Sequence, residues 1–171
     1  MNRSLKEEWK KDRILSAHQG ENPMVIVKMK SGFAAIGDTQ FLPGYCVLLP
    51  SKPFGSLEEL EFKQRSEFLF DMSLIGEAIL KVCSPRRVNY SIYGNTDAYL
   101  HAHVFPRYHW EPKDRIPYPV WQYPSEKWSN AEYQYCAETH GELKDKLSEV
   151  IHKLMKEAYE ADFEVEQFHN I

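Results

Sequence analysis

From Tyr99 to Phe105 the side chains alternate in character, with Tyr99, His101 and His103 set against Leu100, Ala102 and Val104. Successive side chains on a strand point to opposite faces, so a strand here carries one polar row and one apolar row. The apolar row belongs to a core. The polar row can line a cleft, and its two imidazoles stand side by side. Pro106-Arg107 follows the run. Just upstream, Gly94-Asn95-Thr96-Asp97 is a turn with short polar side chains and backbone N–H groups of the kind that cradles phosphate oxygens.

The rest of the chain surrounds that strand with mixed elements. Ser4-Leu5-Lys6-Glu7 fits a capping box that opens a helix running to about Ala17, with Gly20 as its stop. Met24–Lys30 and Phe33–Ile36 are expected strands joined by the Ser31-Gly32 turn. Pro43-Gly44 signals a type II turn before a buried strand, Tyr45–Leu49. Ser56-Leu57-Glu58-Glu59 is a second capping box, and apolar residues spaced by three or four extend a helix to Val82. Ser84-Pro85 stops it, and Val88–Tyr93 is another strand. Residues 106–128 hold five of the ten prolines and three of the four tryptophans, which predicts an irregular segment packed over the domain. Thr139-His140-Gly141-Glu142 is a third capping box, before a final helix with Leu143, Leu147, Val150, Ile151, Leu154 and Ala158 on one face. The expected class is α+β, in a single domain over 1–171. Its core spans about 24–108, and 109–171 forms an aromatic, proline-rich loop and a C-terminal helix.

Charge and cysteine usage narrow the partners. The net charge of −4 implies no broad basic field, which argues against a nucleic-acid duplex and leaves room for a small anionic ligand in a local pocket. Cys46, Cys83 and Cys136 are odd in number and form no CxxC pair, which argues against a disulfide framework or a cysteine-rich zinc site. A reducing cytoplasm is the expected compartment. Met1–Lys11 lacks an apolar signal segment, and no run approaches the roughly 18 apolar residues of a membrane span.

Two imidazoles on one strand face admit three readings. One ring can attack phosphorus while the other donates hydrogen bonds to phosphoryl oxygens. The pair can chelate zinc, although such a site needs three or four ligands. Or both rings can be structural, with satisfied hydrogen bonds. From the two histidines alone the third carries the most weight, and the adjacent Gly-Asn-Thr turn lowers it.

The chain resembles the histidine triad family of nucleotide hydrolases and transferases, whose pattern is H-x-H-x-H alternating with apolar residues, often before Pro-Arg. In Tyr99-Leu-His101-Ala-His103-Val-Phe-Pro106-Arg107 the register set by Pro106-Arg107 places the second and third triad histidines at His101 and His103. Tyr99 stands at the first, a departure from the pattern. Asn89 and Gly94-Asn95-Thr96 resemble the family's Asn and its Gly-(Gln/Asn)-(Ser/Thr) turn, and Phe41–Pro50 its hairpin. The resemblance covers roughly residues 24–108. It implies a five-stranded antiparallel sheet with packed helices, usually in a homodimer. It also implies that His101 attacks the α-phosphorus of a nucleotide and that water then releases the monophosphate. The substrate would be a dinucleoside polyphosphate such as diadenosine tetraphosphate, or a related conjugate. His103 would hydrogen-bond the phosphate. Asn95 and Thr96 would hold phosphate oxygens or assist the leaving group, and Asn89 would support the phosphate or the nucleophile. Asp38 stands where family members bind ribose hydroxyls. No metal cofactor is implied as built in, although Mg²⁺ accompanies such substrates.

Imidazole chemistry agrees with this. A neutral ring with an ordinary pKa of about 6.5 approaches an anionic phosphoryl group without charge repulsion. It needs an acceptor at its other nitrogen, and a backbone carbonyl can serve, so Tyr99 in place of histidine is tolerable. Arg107 is expected in a surface or interface ion pair, His109 and His140 on the surface, and Cys46 and Cys83 in the core. His18, His152 and His169 carry no expected chemistry, and Glu160 and Asp162 belong to a solvated face. Trp110, Tyr118, Trp121 and Tyr123 are the expected pocket walls. Two other readings stay open: a nucleotide-binding module weak in catalysis, motivated by Tyr99, and a metal-dependent hydrolase using His101 and His103.

Overall fold

A computed structural model describes residues 5–168, with side chains from 8 to 160. Five antiparallel strands form one sheet: β1 (Val25–Lys28), β2 (Gly32–Ile36), β3 (Cys46–Pro50), β4 (Arg87–Tyr93) and β5 (His101–Arg107). Their spatial order is β1-β2-β3-β5-β4, which puts the histidine strand next to the edge and pairs it on both sides. The helices are α1 (Arg13–Gln19), α2 (Phe62–Cys83), the short α3 (Glu126–Ser129) and α4 (Ala137–Phe168). Among the described residues no helix is long and apolar enough to cross a membrane.

Alternation along the strands divides the sheet into two faces. Ala34, Cys46, Leu48, Ala102 and Val104 point to one side, where Phe68, Ile75 and Ile79 of α2 and Leu147, Ile151 and Leu154 of α4 cover them. Each of the large side chains buried there stabilises the fold by about 1.5–3 kcal/mol relative to exposure. Asp71 of α2 is fully buried, yet its carboxylate accepts from Ser31 N–H, Ser31 Oγ–H and the Tyr159 hydroxyl. That triple contact ties both long helices to the β1–β2 turn. The opposite face carries Phe33, Ala35 and Leu49 against α1, and Tyr45 and Phe105 against residues 108–128.

Several local expectations shift. The first helix is split: Leu5–Lys10 is a 3₁₀ turn, and α1 starts only after Asp12, whose carboxylate accepts from Ile14 and Leu15 N–H. Ser4 of the expected capping box, like His169, lies outside the described residues. Gly20 does end α1, in the left-handed region. Ser56 makes no side-chain cap; it precedes a 3₁₀ turn, Leu57–Glu59, and the capping box that opens α2 is Glu61 with Gln64. Thr139 lies inside α4, which begins two residues earlier, where Cys136 N–H donates to His140 Nδ1. The Pro43-Gly44 turn forms as expected, with Gly44 at φ 95° and Tyr45 N–H bonded to Leu42 C=O. A side chain there would be strained and would meet Cys83 Sγ at 2.5 Å.

Candidate functional site

The polar row of β5 opens onto two cavities that meet at the imidazoles. One, of about 210 Å³, is walled by Ala35, Val47, Leu49, Tyr99, Trp121 and Trp128, with Arg13 and Asp38 among its polar groups. The other, of about 410 Å³, is lined by Tyr93, Asn95, Thr96, Asp97 and Trp121. His101 and His103 line both. Both combine apolar walls with a few directed polar groups, as ligand sites do, and the second carries the short polar side chains of Asn95, Thr96 and Asp97.

His101 Nδ1 lies 2.8 Å from the carbonyl oxygen of Tyr99. A carbonyl only accepts, so Nδ1 carries a proton, and in the neutral ring Nε2 is the nitrogen with the lone pair. Among the described residues Nε2 has no protein partner. The ring is held edge-on to His103, with centroids 4.7 Å apart and planes at 75°. This tautomer is the one a nitrogen nucleophile requires, and the backbone of residue 99 supplies it whatever side chain stands there.

His103 is fixed differently. Its Nδ1 is 2.7 Å from the Tyr45 hydroxyl. Burial pushes the Tyr45 phenol far above its ordinary pKa, so the phenol keeps its proton. In the tautomer where the phenol donates to Nδ1, His103 presents Nε2–H as a donor. Phe105 stacks parallel to this ring and Trp121 packs edge-on at 4.7 Å. Desolvation, and then the neighbouring His101, hold the His103 pKa down at about 3. Its folded value is therefore below the unfolded one, so the unfolded chain binds the extra proton between about pH 6.5 and pH 3. Stability is expected to fall with acidification across that window. A His103→Gln variant should show a shallower loss when thermal midpoints are compared from pH 7 to pH 4.

Asn95 and Thr96 line the second cavity. Gly94 does not line either cavity, and an added Cβ would approach nothing nearer than 3.8 Å, so steric need does not explain a glycine there. Asp38 lines the first cavity, but Arg13 grips it with Nη1–Oδ1 at 2.9 Å and Nη2–Oδ2 at 2.6 Å. Asn89 is placed in a neighbouring groove, with Arg86 and Arg87. It lies outside both cavities, and its Oδ1 accepts from Arg107 at 2.9 Å. The register explains this: Asn89 faces Phe105 across the strands, one pleat away from His103.

Arg107 is corrected, from a surface pair to a buried one. Its Nε and Nη2 meet Glu111 at about 3.0 Å, with both side chains almost wholly excluded from solvent. Arg107 also donates to the carbonyls of Tyr118 and Arg115, and Glu111 accepts from Tyr108 N–H and the Tyr123 hydroxyl. One ion pair thereby gathers residues 108–123 into an ordered strap. The strap delivers Trp121, which stacks on Trp128 with centroids 5.0 Å apart. Of the four expected wall residues only Trp121 reaches the imidazole cavities. Trp110 is exposed, Tyr118 faces another groove and Tyr123 is buried.

Arg13, Tyr45 and Trp128 are the site residues that the motifs do not reveal. Arg13 comes from a helix far away in sequence, and its neighbours carry no motif. Trp128 lies in the aromatic segment, whose packing direction local periodicity does not encode. Among the described residues, no group of three or more His, Cys, Asp or Glu side chains is placed to hold a metal ion.

No protein-family model matches the sequence. No curated protein matches it either. Solved structures do resemble it. A histidine triad protein from Marinobacter aquaeolei aligns at 22% identity over 76% of this chain and 89% of its own, with a TM-score of 0.64. One from Bradyrhizobium japonicum aligns at 18% identity over 79% and 95%, with a TM-score of 0.65. A diadenosine triphosphate hydrolase from Plasmodium falciparum aligns at 12% over 76% and 77%, with a TM-score of 0.54. Strand order, the site strand and these alignments agree: the chain has the α+β fold of the histidine triad proteins.

Proposed function

We propose that this protein is a histidine triad enzyme that cleaves the α-phosphate bond of a nucleotide conjugate, with a dinucleoside polyphosphate such as diadenosine tetraphosphate as the best-fitting substrate. The observation that carries the reading is the His101 Nδ1–Tyr99 carbonyl bond, which leaves Nε2 as a free base where two cavities meet. One neighbour in fold is a diadenosine triphosphate hydrolase. The nucleoside occupies the first cavity, its base against Trp121 and its ribose hydroxyls at Asp38. That carboxylate, although held by Arg13, keeps lone pairs to accept with.

His101 Nε2 forms a bond to the α-phosphorus while the phosphorus–oxygen bond to the leaving group breaks. The electron pair departs on that oxygen, which leaves as a phosphate anion in proton exchange with solvent. His103 Nε2–H, Asn95 and Thr96 donate to the phosphoryl oxygens as charge gathers on them. Tyr99 contributes its carbonyl to the nucleophile and its ring to the nucleoside wall. Water then forms the new phosphorus–oxygen bond and gives up a proton to solvent, while the phosphorus–nitrogen bond breaks and the imidazole regains its lone pair. Mg²⁺ enters only with the substrate.

The same reading takes the protein as a homodimer in the cytoplasm. Leu69, Phe70 and Leu80 of α2 are exposed large apolar side chains, which supports self-association. Sedimentation equilibrium at twice the 20.1 kDa chain mass is the expected result, and a monomer would refute it.

A panel of dinucleoside polyphosphates, nucleoside phosphoramidates and nucleotide sugars, with products identified by mass spectrometry, tests the function. A nucleoside monophosphate released from one class is expected. Tight binding with no turnover of any class would replace the hydrolase with a binding module.

A further inference from the structure

A third groove lies on the same face of the sheet, beyond Trp121 from the imidazoles. It measures about 390 Å³, and its walls include Arg86, Arg87, Ser91, Tyr118 and Trp121. Tyr93 and Trp121 line both this groove and the cavity holding Asn95, Thr96, His101 and His103, so the two spaces share walls. Strand register fixes the direction of travel. Tyr93 lies opposite His101, Ser91 opposite His103 and Arg87 opposite Arg107. Opposed residues share a face, so Arg87 stands four residues along β4 from the position beside His103, about 13 Å away.

The three arginines of this groove are not equivalent. Arg107 is engaged by Glu111, Asn89 and the carbonyls of the strap. Arg86 and Arg87 have no ion pair among the described residues. Arg86 Nε is buried without any hydrogen-bond partner. A buried donor left without an acceptor is costly, and folded proteins contain few of them. Among the described residues no carboxylate lines the groove to neutralise either guanidinium. Tyr118 and Trp121 beside them are substantially exposed aromatic rings.

We infer that Arg86 and Arg87 form a phosphate-binding subsite for the leaving part of the substrate, reached through the shared wall at Tyr93 and Trp121. The inference rests on the reading that the α-phosphate sits at His101. Guanidinium forks match phosphate oxygens in pairs, and the aromatic rings offer a surface for a second base. The ligand class is a nucleoside polyphosphate leaving group. A substrate whose leaving group is a single small amine ends short of the arginines. Charge at Arg86 and Arg87 therefore separates long leaving groups from short ones, whereas the nucleoside half is recognised elsewhere.

The test compares the full-length enzyme with Arg87→Gln and with Arg86→Gln/Arg87→Gln on diadenosine tetraphosphate and on adenosine 5′-phosphoramidate. The double variant is expected to lose about tenfold or more in kcat/KM on the tetraphosphate, and under twofold on the phosphoramidate. The exposed Arg87→Gln change should give a smaller loss in the same direction, which guards against misfolding of the double variant. Equal losses on both substrates, or no loss on either, would overturn the subsite. If the wild type turns over neither substrate, the hydrolase reading fails and calorimetry decides the subsite separately. Wild-type protein must then bind diadenosine tetraphosphate more tightly than AMP, and the arginine substitutions must erase that difference. A difference that survives them, or none in the wild type, would refute it.

Discussion

A His101→Ala variant is expected to lose at least about 10⁴-fold in turnover, because on the proposed mechanism it lacks the covalent nucleophile and keeps only binding and electrostatic assistance. The fold should persist. His101 sits at the start of β5, with its ring directed to the cavities and its backbone paired to Tyr93 of β4. Circular dichroism and retained AMP binding would establish that. The companion change, Tyr99→Phe, is expected to keep turnover within about tenfold of wild type, since the carbonyl of residue 99 orients His101 and its hydroxyl has no role in that contact. A loss in Tyr99→Phe as large as in His101→Ala would mean that the phenol is part of the chemistry.

Glu111→Ala is expected to be the most damaging change to stability. The carboxylate is fully excluded from solvent and lies 3.0 Å from Arg107. Removing one member of a buried pair leaves the other charge uncompensated and costs about 3–5 kcal/mol. For a domain of this size that corresponds to a fall in Tm of roughly 10 °C. Burial pushes the Glu111 carboxyl up, but hydrogen bonds from Arg107, Tyr123 and the Tyr108 amide outweigh it and hold the pKa below the ordinary value. The folded value is thus lower than the unfolded one. The stability from this group is present above the unfolded pKa of about 4.3 and is lost as pH falls through the folded value. Thermal melts of the two proteins should converge in strong acid. The variant should also lose activity beyond its stability loss, because the strap that the pair gathers carries Trp121 to the site.

The element order and the site strand were legible because both follow from short-range rules. Alternation over 99–105 defines β5 and the two rows of its side chains, and Pro43-Gly44 and Gly20 mark bends that only certain residues adopt. The helix starts were less legible. Asp12 and Glu61 compete with nearby Ser-x-x-Glu patterns, and the chain direction set by packing decides between them. The partners of the site were not legible. Arg13 meets Asp38 across 25 residues of sequence, Tyr45 meets His103 across 58, and Arg107 donates to Asn89 across 18. Each pairing depends on how the strands lie side by side, which no local spacing records.

Rapid-quench labelling addresses the central claim most directly. The protein is mixed with diadenosine tetraphosphate labelled in an α-phosphate, stopped within a turnover and digested under alkaline conditions that preserve phosphohistidine. Transient AMP-derived label on the peptide containing His101, lost in His101→Ala, is the predicted result. Steady turnover with no protein-bound label at any time, or label on a different residue, would contradict a nucleophilic His101.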